Sequence, residues 1–425
     1  MSNQIRRIAV IGGSRIPFCR SNSIYSEKTN LDMLSAAIQG VVDRFGLGGM
    51  QLDEVVAGAV TTHPKDWNLA REALLSTRLS PLTPGITLQQ ACGTSLQSAL
   101  MIGAKIATGQ IECGIAAGTD TTSDPPISFG RKFSQRLVKA GAARTGKQRL
   151  RAFKGFSPSE LKPVQPANGE PRTGISMGQH CERMAREWHI PREEQDRLAM
   201  ESHQKADRAY DEGFFDDLVT PWSGVSRDNN IRVSTMEKLA SLRTVFSKAP
   251  DATLTAANST PLTDGAAAVL LASEEWAKAN NLPVQAYITA SRTSAVDFVN
   301  DEGLLMAPTI AVSEMLQRTG LALQDFDYYE IHEAFAAQVL CTLAAWESEE
   351  YCRDRLGLDA ALGPIDRAKM NIHGSSLAVG HPFAATGARI VGNLAQILEN
   401  AGSGRGLISI CTAGGMGVAA ILERD

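Results

Sequence analysis

The stretch Leu88-Gln-Gln-Ala-Cys-Gly-Thr-Ser-Leu-Gln-Ser98 marks a change of secondary structure that decides the fold. Residues 86–90 have the short apolar character of a strand, and residues 93–108 have the apolar spacing of a helix. Cys92 therefore lies where a strand gives way to a helix. The helix dipole and the free N–H groups at that place are expected to lower the pKa of the thiol. A cysteine taken alone is usually a small buried residue, but its small neighbours leave room for a ligand.

Three more reactive side chains occupy similar places. His381 lies in Gly380-His-Pro-Phe-Ala-Ala-Thr-Gly-Ala-Arg389, where the proline is expected at the first position of a helix. His332 precedes another predicted helix, and Cys411 ends a predicted strand before a glycine-rich turn whose N–H groups can face an oxyanion. A lone histidine is more often a capping or core residue. Together the four sites are stronger evidence, because strand ends of an α/β sheet converge on one crevice and a cysteine nucleophile needs a base.

Strands and helices alternate along most of the chain, which indicates an α/β protein. The N-terminal and C-terminal parts each contain such a set, which suggests a structural duplication, although the two sequences differ too much to prove it. Residues 120–250 interrupt the alternation and are predicted to form an inserted domain. Its clearest element is a helix that begins near Pro191 and ends near Gly213.

Composition excludes several classes of protein. The 425 residues include 42 Lys and Arg and 46 Asp and Glu, and the resulting charge of -4 argues against a nucleic-acid-binding protein. No apolar run approaches the ~18 residues that cross a bilayer. Seven scattered cysteines without a C-x-x-C favour a reducing compartment, and the histidine spacing supports no metal site. The arginine-rich start is typical of a weak transit peptide, but residues 5–13 are interpreted as a first strand, so we predict a cytoplasmic protein.

One segment differs in charge from the rest of the chain. Residues 131–154 contain nine basic residues and no acidic one, while the whole chain is acidic. Such segregation suggests an anionic partner, although a solvated surface helix is an equally good interpretation. The candidates are the phosphates of a small ligand, an anionic membrane surface and an acidic partner subunit. Since nine charges exceed what one such ligand requires, we expect peripheral membrane contact or a partner subunit.

The motifs resemble those of the thiolase family over nearly the full chain. They are closest to the branch of thiolase subunits in the trifunctional fatty-acid β-oxidation complex. The matching blocks, in the family's order, are Gln90-Ala-Cys-Gly-Thr-Ser95, Thr255-Ala-Ala-Asn-Ser-Thr-Pro-Leu-Thr-Asp-Gly265, His332-Glu-Ala-Phe335, Gly380-His-Pro382 and Cys411-Thr-Ala-Gly-Gly415.

The resemblance implies duplicated α/β halves in a five-layered α-β-α-β-α core with an inserted loop domain. The N-terminal half would span residues 1–119 and 251–290, the loop domain residues 120–250, and the C-terminal half residues 291–425. The family also implies a homodimer at least, with a hydratase/dehydrogenase subunit as a candidate partner, and CoA as a substrate rather than a cofactor.

The resemblance further implies the chemistry. Cys92, deprotonated by His381, would attack the 3-keto carbon of a 3-ketoacyl-CoA, and Cys411 would protonate the departing acetyl-CoA enolate. One oxyanion hole would be formed by His381 and a water held by His332, and the other by the backbone N–H groups of Cys92 and Ala413. The CoA and substrate site would include Ser176, Met177, Phe246, Ala256, Thr260 and Phe335.

The sequence departs from the wider family in three places. Position 332 is His where many thiolases have Asn, which we interpret as a marker of the branch. Position 413 is Ala where many have Gly, and His373 has no assigned role. A degradative 3-ketoacyl-CoA thiolase is favoured over a biosynthetic acetoacetyl-CoA thiolase. A decarboxylating ketosynthase is disfavoured by Cys411, and a non-enzymatic scaffold remains a further alternative.

Overall fold

The computed structural model describes residues 5–425, so the first four residues of the predicted N-terminal half lie outside it. The strands alternate with helices along both ends of the chain, as the sequence predicts. They are β1 Ile8–Arg15, β2 Cys19–Arg20, β3 Glu54–Gly58, β4 Gly85–Thr87, β5 Cys113–Asp120, β6 Ser128–Phe129, β7 Pro163–Val164, β8 Thr263–Ser273, β9 Ala286–Ala295, β10 Tyr328–Ile331, β11 Gly404–Thr412 and β12 Met416–Arg424.

The helices are α1 Asn30–Arg44, α2 Leu69–Leu75, α3 Thr94–Ala107, α4 Arg131–Gly141, α5 Gly146–Ala152, α6 Met177–Glu187, α7 Arg192–Asp211, α8 Met236–Ala240, α9 Glu274–Ala279, α10 Ala307–Thr319, α11 Ala336–Glu347, α12 Glu349–Asp354, α13 Ser376–Val379 and α14 Thr386–Ala401. A 3₁₀ turn at Phe383–Ala385 separates Pro382 from α14, so this proline does not begin the long helix as predicted. Across residues 5–425, no helix is both long and apolar enough to cross a membrane.

The main sheet has ten strands in the order β10-β11-β12-β9-β1-β8-β5-β3-β4, with β2 paired to β8 off this path. Each half contains one group of parallel strands, β3 with β4 and β5 in the first and β10 with β11 in the second. The predicted hairpin of β11 and β12 is present. The halves join where β1 and β9 pair over three residues, from Ile8 opposite Ile288 to Val10 opposite Ala286.

Three buried clusters define the layers. One packs α1 and α2 on the outer face of the first half-sheet, and another packs α10 and α11 on the outer face of the second. The third fills the space between the half-sheets around α3 and α14, and it contains alternate residues of strands from both halves. These layers confirm the predicted α-β-α-β-α order.

Two glycines allow the halves to approach closely. A Cβ at Gly387 of α14 would lie 2.2 Å from the backbone nitrogen of Leu96 in α3. A Cβ at Gly118 of β5 would lie 2.0 Å from the carbonyl oxygen of Ala384, in the turn that follows His381. Any larger side chain at either position would separate elements that carry the reactive residues.

Between β5 and β8 the described chain contributes no strand to the main sheet. This region contains α4–α8 and the small β6–β7 ribbon. Helices α4 and α5 form an exposed hairpin in which no residue is buried. Arg136 stabilises it through two bonds to Glu160, 2.6 and 3.0 Å long, so one of the nine basic residues has an internal role.

Candidate active site

Cys92 lies in a tight turn between β4 and α3. The preceding residue, Ala91, has a left-handed backbone with a φ of 47°, which is strained for a residue with a Cβ. Thr94 holds this turn, since its Oγ1 accepts from the N–H of Gln90 at 2.8 Å and donates to the carbonyl of Ala91 at 2.7 Å. The strained turn presents the Cys92 side chain just before the helix N-terminus.

His381 faces this thiol. Its Nε2 lies 3.1 Å from the Sγ of Cys92, and its Nδ1 lies 2.6 Å from the Oγ1 of Thr386. When Nδ1 donates its proton to Thr386, Nε2 is left with the lone pair that accepts the proton of the Cys92 thiol. The pair is therefore arranged as a nucleophile with its general base.

Burial determines the resting protonation of this pair. It raises the pKa of the Cys92 thiol to about 12, although the N–H groups of Ala413 and Cys92 act in the opposite direction. Burial, with a smaller contribution from Arg389, lowers the pKa of His381 to about 3. The predicted lowering of the Cys92 pKa by the helix N-terminus is thus wrong, because desolvation of the charged thiolate outweighs the helix dipole. Thiol and imidazole are both neutral before substrate binds.

The β11–β12 hairpin brings Cys411 and Ala413 to the same place. The backbone N–H of Ala413 lowers the pKa of the Cys92 thiol, in opposition to burial. Burial and then the neighbouring Cys92 raise the pKa of Cys411 well above its usual range, so this second thiol also keeps its proton. Gly414 and Gly415 have φ values of 76° and 68°, whereas Ala413 is not among the residues with positive φ. Alanine therefore fits at position 413.

His332 completes the cluster. Its ring centroid lies 4.2 Å from that of His381, and one potential ligand atom from each of Cys92, His332 and His381 lies within 4.8 Å of the other two. Its Nδ1 bonds the Oγ of Ser376 at 2.8 Å, and its Nε2 is buried without a partner. This spacing would also suit a soft metal ion, and the predicted absence of a metal stays a prediction.

The predicted substrate residues fall into two groups. Met177, Phe246 and Phe335 pack together beside the core of the second half, with the rings of Phe246 and Phe335 5.8 Å apart. Phe246 occupies the space that a Cβ at Gly178 would need. Thr260 is joined to the same region, because its N–H and its hydroxyl both donate to the carbonyl of Ala334 at 3.1 Å.

Ser176 and Ala256 are placed differently. Ser176 caps α6 by accepting from the N–H of Gln179, which gives it a structural role. Ala256 lines a cavity of about 210 Å³ between α7 and α8. Arg232 and Lys238 also line this cavity and were not among the predicted residues. Two basic side chains there suit an anionic ligand.

Other residues near the site were also missed. Thr386, Ser376 and Arg389 contact the two histidines directly or through one hydroxyl, and the sequence spacing of Ser376 and Arg389 indicates no such role. The hydroxyl of Thr386, five residues after His381 at a helix start, offered the only local signal. His373 lies apart from the cluster and stacks on Phe214 at a centroid distance of 3.7 Å.

Comparison with known proteins agrees with this geometry. The family model described as "Thiolase, N-terminal domain" matches residues 8–275, and "Thiolase, C-terminal domain" matches residues 282–424. A 3-ketoacyl-CoA thiolase of Shewanella baltica is 41% identical over 424 residues, covering 98% of this chain and 97% of the relative. One from Yersinia pestis is 39% identical over 430 residues, covering 100% and 98%.

Solved structures give the same result. An acetyl-CoA acetyltransferase of Bacillus anthracis aligns with a TM-score of 0.81 and 29% identity, covering 99% of this chain and 100% of that one. A human mitochondrial 3-ketoacyl-CoA thiolase aligns with a TM-score of 0.79 and 27% identity, covering 99% of both chains. The resemblance inferred from the motifs is confirmed, and the chain belongs to the thiolase family.

Proposed function

We propose that this protein is a 3-ketoacyl-CoA thiolase, an acetyl-CoA C-acyltransferase of fatty-acid β-oxidation. The observation that carries the proposal is the 3.1 Å contact between the Cys92 thiol and the His381 imidazole, with Cys411 and the Ala413 N–H beside it. The curated relatives at 39–41% identity, which are named as 3-ketoacyl-CoA thiolases, support it. CoA acts as a substrate, and no cofactor is required.

In the first half-reaction, the proton of the Cys92 thiol passes to Nε2 of His381, and the sulfur attacks C3 of the substrate. The resulting oxyanion is stabilised by the N–H groups of Cys92 and Ala413. When this intermediate collapses, the C2–C3 bond breaks and its electron pair becomes the enolate of acetyl-CoA. The Cys411 thiol then gives its proton to C2, which leaves an acyl group on Cys92 and a thiolate at Cys411.

In the second half-reaction, the Cys411 thiolate takes the proton of an incoming CoA thiol. The CoA sulfur attacks the acyl carbon, and Cys92 departs and recovers its proton from His381. The product is an acyl-CoA shortened by two carbons, and every side chain returns to its starting protonation state. The neutral resting pair suits this cycle, because charge appears only while substrate excludes water.

We assign the binding of CoA to the 210 Å³ cavity and to the group of Met177, Phe246 and Phe335. Arg232 and Lys238 would face the phosphates, while Met177, Phe246 and Phe335 would line the path of the pantetheine toward Cys92. In this proposal the charged end of the ligand would lie near the surface and its thioester near the buried thiols.

The deciding assay compares CoA-dependent thiolysis of acetoacetyl-CoA with that of a long-chain 3-ketoacyl-CoA, in the presence of EDTA. Cleavage of the long substrate, abolished in Cys92→Ala, is the expected result. Cleavage of acetoacetyl-CoA alone would instead favour a short-chain biosynthetic thiolase. Cleavage of neither would refute the proposal. A malonyl-dependent condensation that survives Cys411→Ala would indicate a ketosynthase.

The proposed assembly is a homodimer at least. Strand β4 lies at one edge of the main sheet, and the apolar side chains of Trp67, Leu82 and Ile86 are exposed around it. An exposed edge with apolar neighbours suits pairing with a second copy. Light scattering should give about twice 45.5 kDa, and Leu82→Lys with Ile86→Lys should give the monomer.

A cytoplasmic location, tested by cell fractionation, is supported by seven unpaired cysteines.

The α4–α5 hairpin is proposed to bind an anionic membrane surface. Val138 and Leu150 are 72% and 78% exposed on helices that carry most of the nine basic residues. Exposed apolar groups within a basic surface suit the interface of an anionic bilayer. The protein should float with liposomes that contain anionic lipid but not with neutral ones, and Val138→Asp with Leu150→Asp should abolish flotation.

Ile24→Asp serves as the control, because Ile24 is an exposed apolar residue outside the hairpin. Flotation that persists in the double variant would refute the membrane proposal. Retention on a co-expressed hydratase/dehydrogenase subunit, lost in the double variant, would assign the hairpin to that partner instead. If the protein bound neither the liposomes nor that subunit, only the CoA phosphates would remain as an anionic partner for the basic residues.

A further inference from the structure

The unpartnered Nε2 of His332 is a feature that the reaction above leaves unused. Every other nitrogen of the two neighbouring imidazoles has a partner, since Nδ1 of His332 bonds Ser376 and both nitrogens of His381 bond Thr386 and Cys92. The Nε2 atom is fully buried, and a buried polar atom without a partner carries an energetic penalty. Whether it bears a proton or a lone pair decides what it can do.

Arg389 settles that question through Ser376. Its Nη2 lies 2.7 Å from the Oγ of Ser376, and an arginine can only donate. The Ser376 oxygen therefore accepts this bond and has one O–H to give. Nδ1 of His332, at 2.8 Å, is its only other partner in residues 5–425. If Nδ1 carried the ring proton, the buried serine O–H would have no acceptor, so Nδ1 is assigned as the acceptor. The ring proton then lies on Nε2.

We propose that Arg389 and Ser376 are positioning residues that hold His332 as its Nε2–H tautomer, so that it can donate a hydrogen bond in the oxyanion hole that the family resemblance assigns to His381 and His332, as distinct from the hole formed by the N–H groups of Cys92 and Ala413. The inference deepens the proposed function and rests on it. His332 and His381, whose rings are neighbours in the site, are thereby held in opposite tautomers. Thr386 leaves Nε2 of His381 with a lone pair for the Cys92 proton, while Ser376 leaves Nε2 of His332 with a proton for the oxyanion.

Burial strengthens this arrangement. The side chain of Arg389 is 0% exposed, and the carboxylate of Glu330 lies 3.7 Å away rather than at hydrogen-bond distance. A buried guanidinium behind the donor favours negative charge in front of it, because charges interact strongly where water is excluded. Burial, His381 and Arg389 all lower the pKa of His332, which keeps the ring neutral and makes its tautomer the relevant variable.

Adjacent serines provide a matched test. Ser375 accepts a 3.2 Å bond from Nη1 of the same arginine but has no bond to His332. Ser376→Ala should lower kcat for thiolysis about tenfold, less than the loss of a whole oxyanion-hole donor, with KM nearly unchanged. Ser375→Ala should keep kcat within about twofold, since a surviving tautomer preserves the donor. Ser376→Thr, which restores a hydroxyl, should recover activity.

A double-mutant cycle separates this role from a general structural one. His332→Asn retains an N–H donor that has no tautomers, so Ser376→Ala should have no further effect on kcat in that background. Equal losses in both backgrounds would overturn the inference, as would wild-type kcat in Ser376→Ala. The melting temperature of each variant identifies losses caused by unfolding.

The tautomer of His332 can also be measured by NMR, without enzymatic turnover. In protein labelled with ¹⁵N at its seven histidines, the signal lost in His332→Asn assigns this ring, and its nitrogen shifts identify the protonated atom. A proton on Nε2 in wild type that redistributes in Ser376→Ala supports the inference, and a proton on Nδ1 in wild type overturns it. The NMR measurement tests the tautomer even in a protein that cleaves no 3-ketoacyl-CoA. A lack of cleavage would refute only the proposed function.

Discussion

Gly118 offers a direct test of how the two halves position His381. In Gly118→Ala the new Cβ would lie 2.0 Å from the carbonyl oxygen of Ala384 and 2.5 Å from its carbon. Since a carbon and an oxygen approach to about 3.3 Å at closest, the turn after His381 must move by about 1.3 Å. The bond from the N–H of Ala384 to Asp120, 2.9 Å long, opposes this movement.

Two consequences are expected from that displacement. Overpacking of this kind should lower the free energy of unfolding by about 2 kcal/mol. A shift of about 1 Å in a catalytic group costs about 10²-fold in rate, so kcat/KM for thiolysis should fall by about that factor. Chemical denaturation and steady-state thiolysis measure the two effects separately.

The control is Gly141→Ala on the exposed hairpin, where the new Cβ meets no atom within 4 Å. This helical position should gain about 0.5–1 kcal/mol, with activity unchanged. If Gly118→Ala kept the wild-type kcat/KM, the close approach of β5 to the His381 turn could not be what positions the base.

Three other measurements probe the site. Because burial raises the pKa of Cys92 to about 12, its alkylation by iodoacetamide in the free enzyme should accelerate steadily from pH 7 to pH 10, and a plateau near pH 7 would contradict this. Thr386→Val removes the 2.6 Å partner of His381 and should slow the acylation of Cys92 by about tenfold, with recovery in Thr386→Ser, as measured by rapid quench. Burial raises the pKa of Glu330 from 4.5 to about 8, so its stabilising contribution is complete below pH 4.5 and is lost as the pH rises through 8. Urea unfolding should therefore show wild type losing stability relative to Glu330→Gln between pH 5 and pH 8.5, and parallel curves would refute this assignment.

The sequence predicts much of this site because its reactive residues sit at recognisable turns. Cys92, His332 and His381 each follow a predicted strand or precede a predicted helix, and the convergence of those ends in one crevice is a general property of α/β sheets. A surface helix was one interpretation of residues 131–154, and α4 is such a helix, because the helical spacing of Phe133, Leu137 and Ala140 is local in the sequence.

The protonation of the site was not predictable in this way. The high pKa of the Cys92 thiol results from burial by elements distant in the chain, whereas the helix dipole that suggested a low pKa is visible locally. The partners that set the histidine tautomers are also tertiary, since Ser376 lies 44 residues from His332. The left-handed turn at Ala91 gives no signal either, because alanine is not a residue that such a conformation favours.

The shared middle layer has a consequence for how the protein folds. Helices α3 and α14 belong to different halves, yet they fill one core between both half-sheets, and the β1–β9 pairing joins those sheets edge to edge. A fragment that ended near residue 280 would expose the inner face of its sheet to water and would lack half of its core. We therefore expect a single cooperative unfolding transition, and no independent folding of either half, despite the duplication that their layouts suggest.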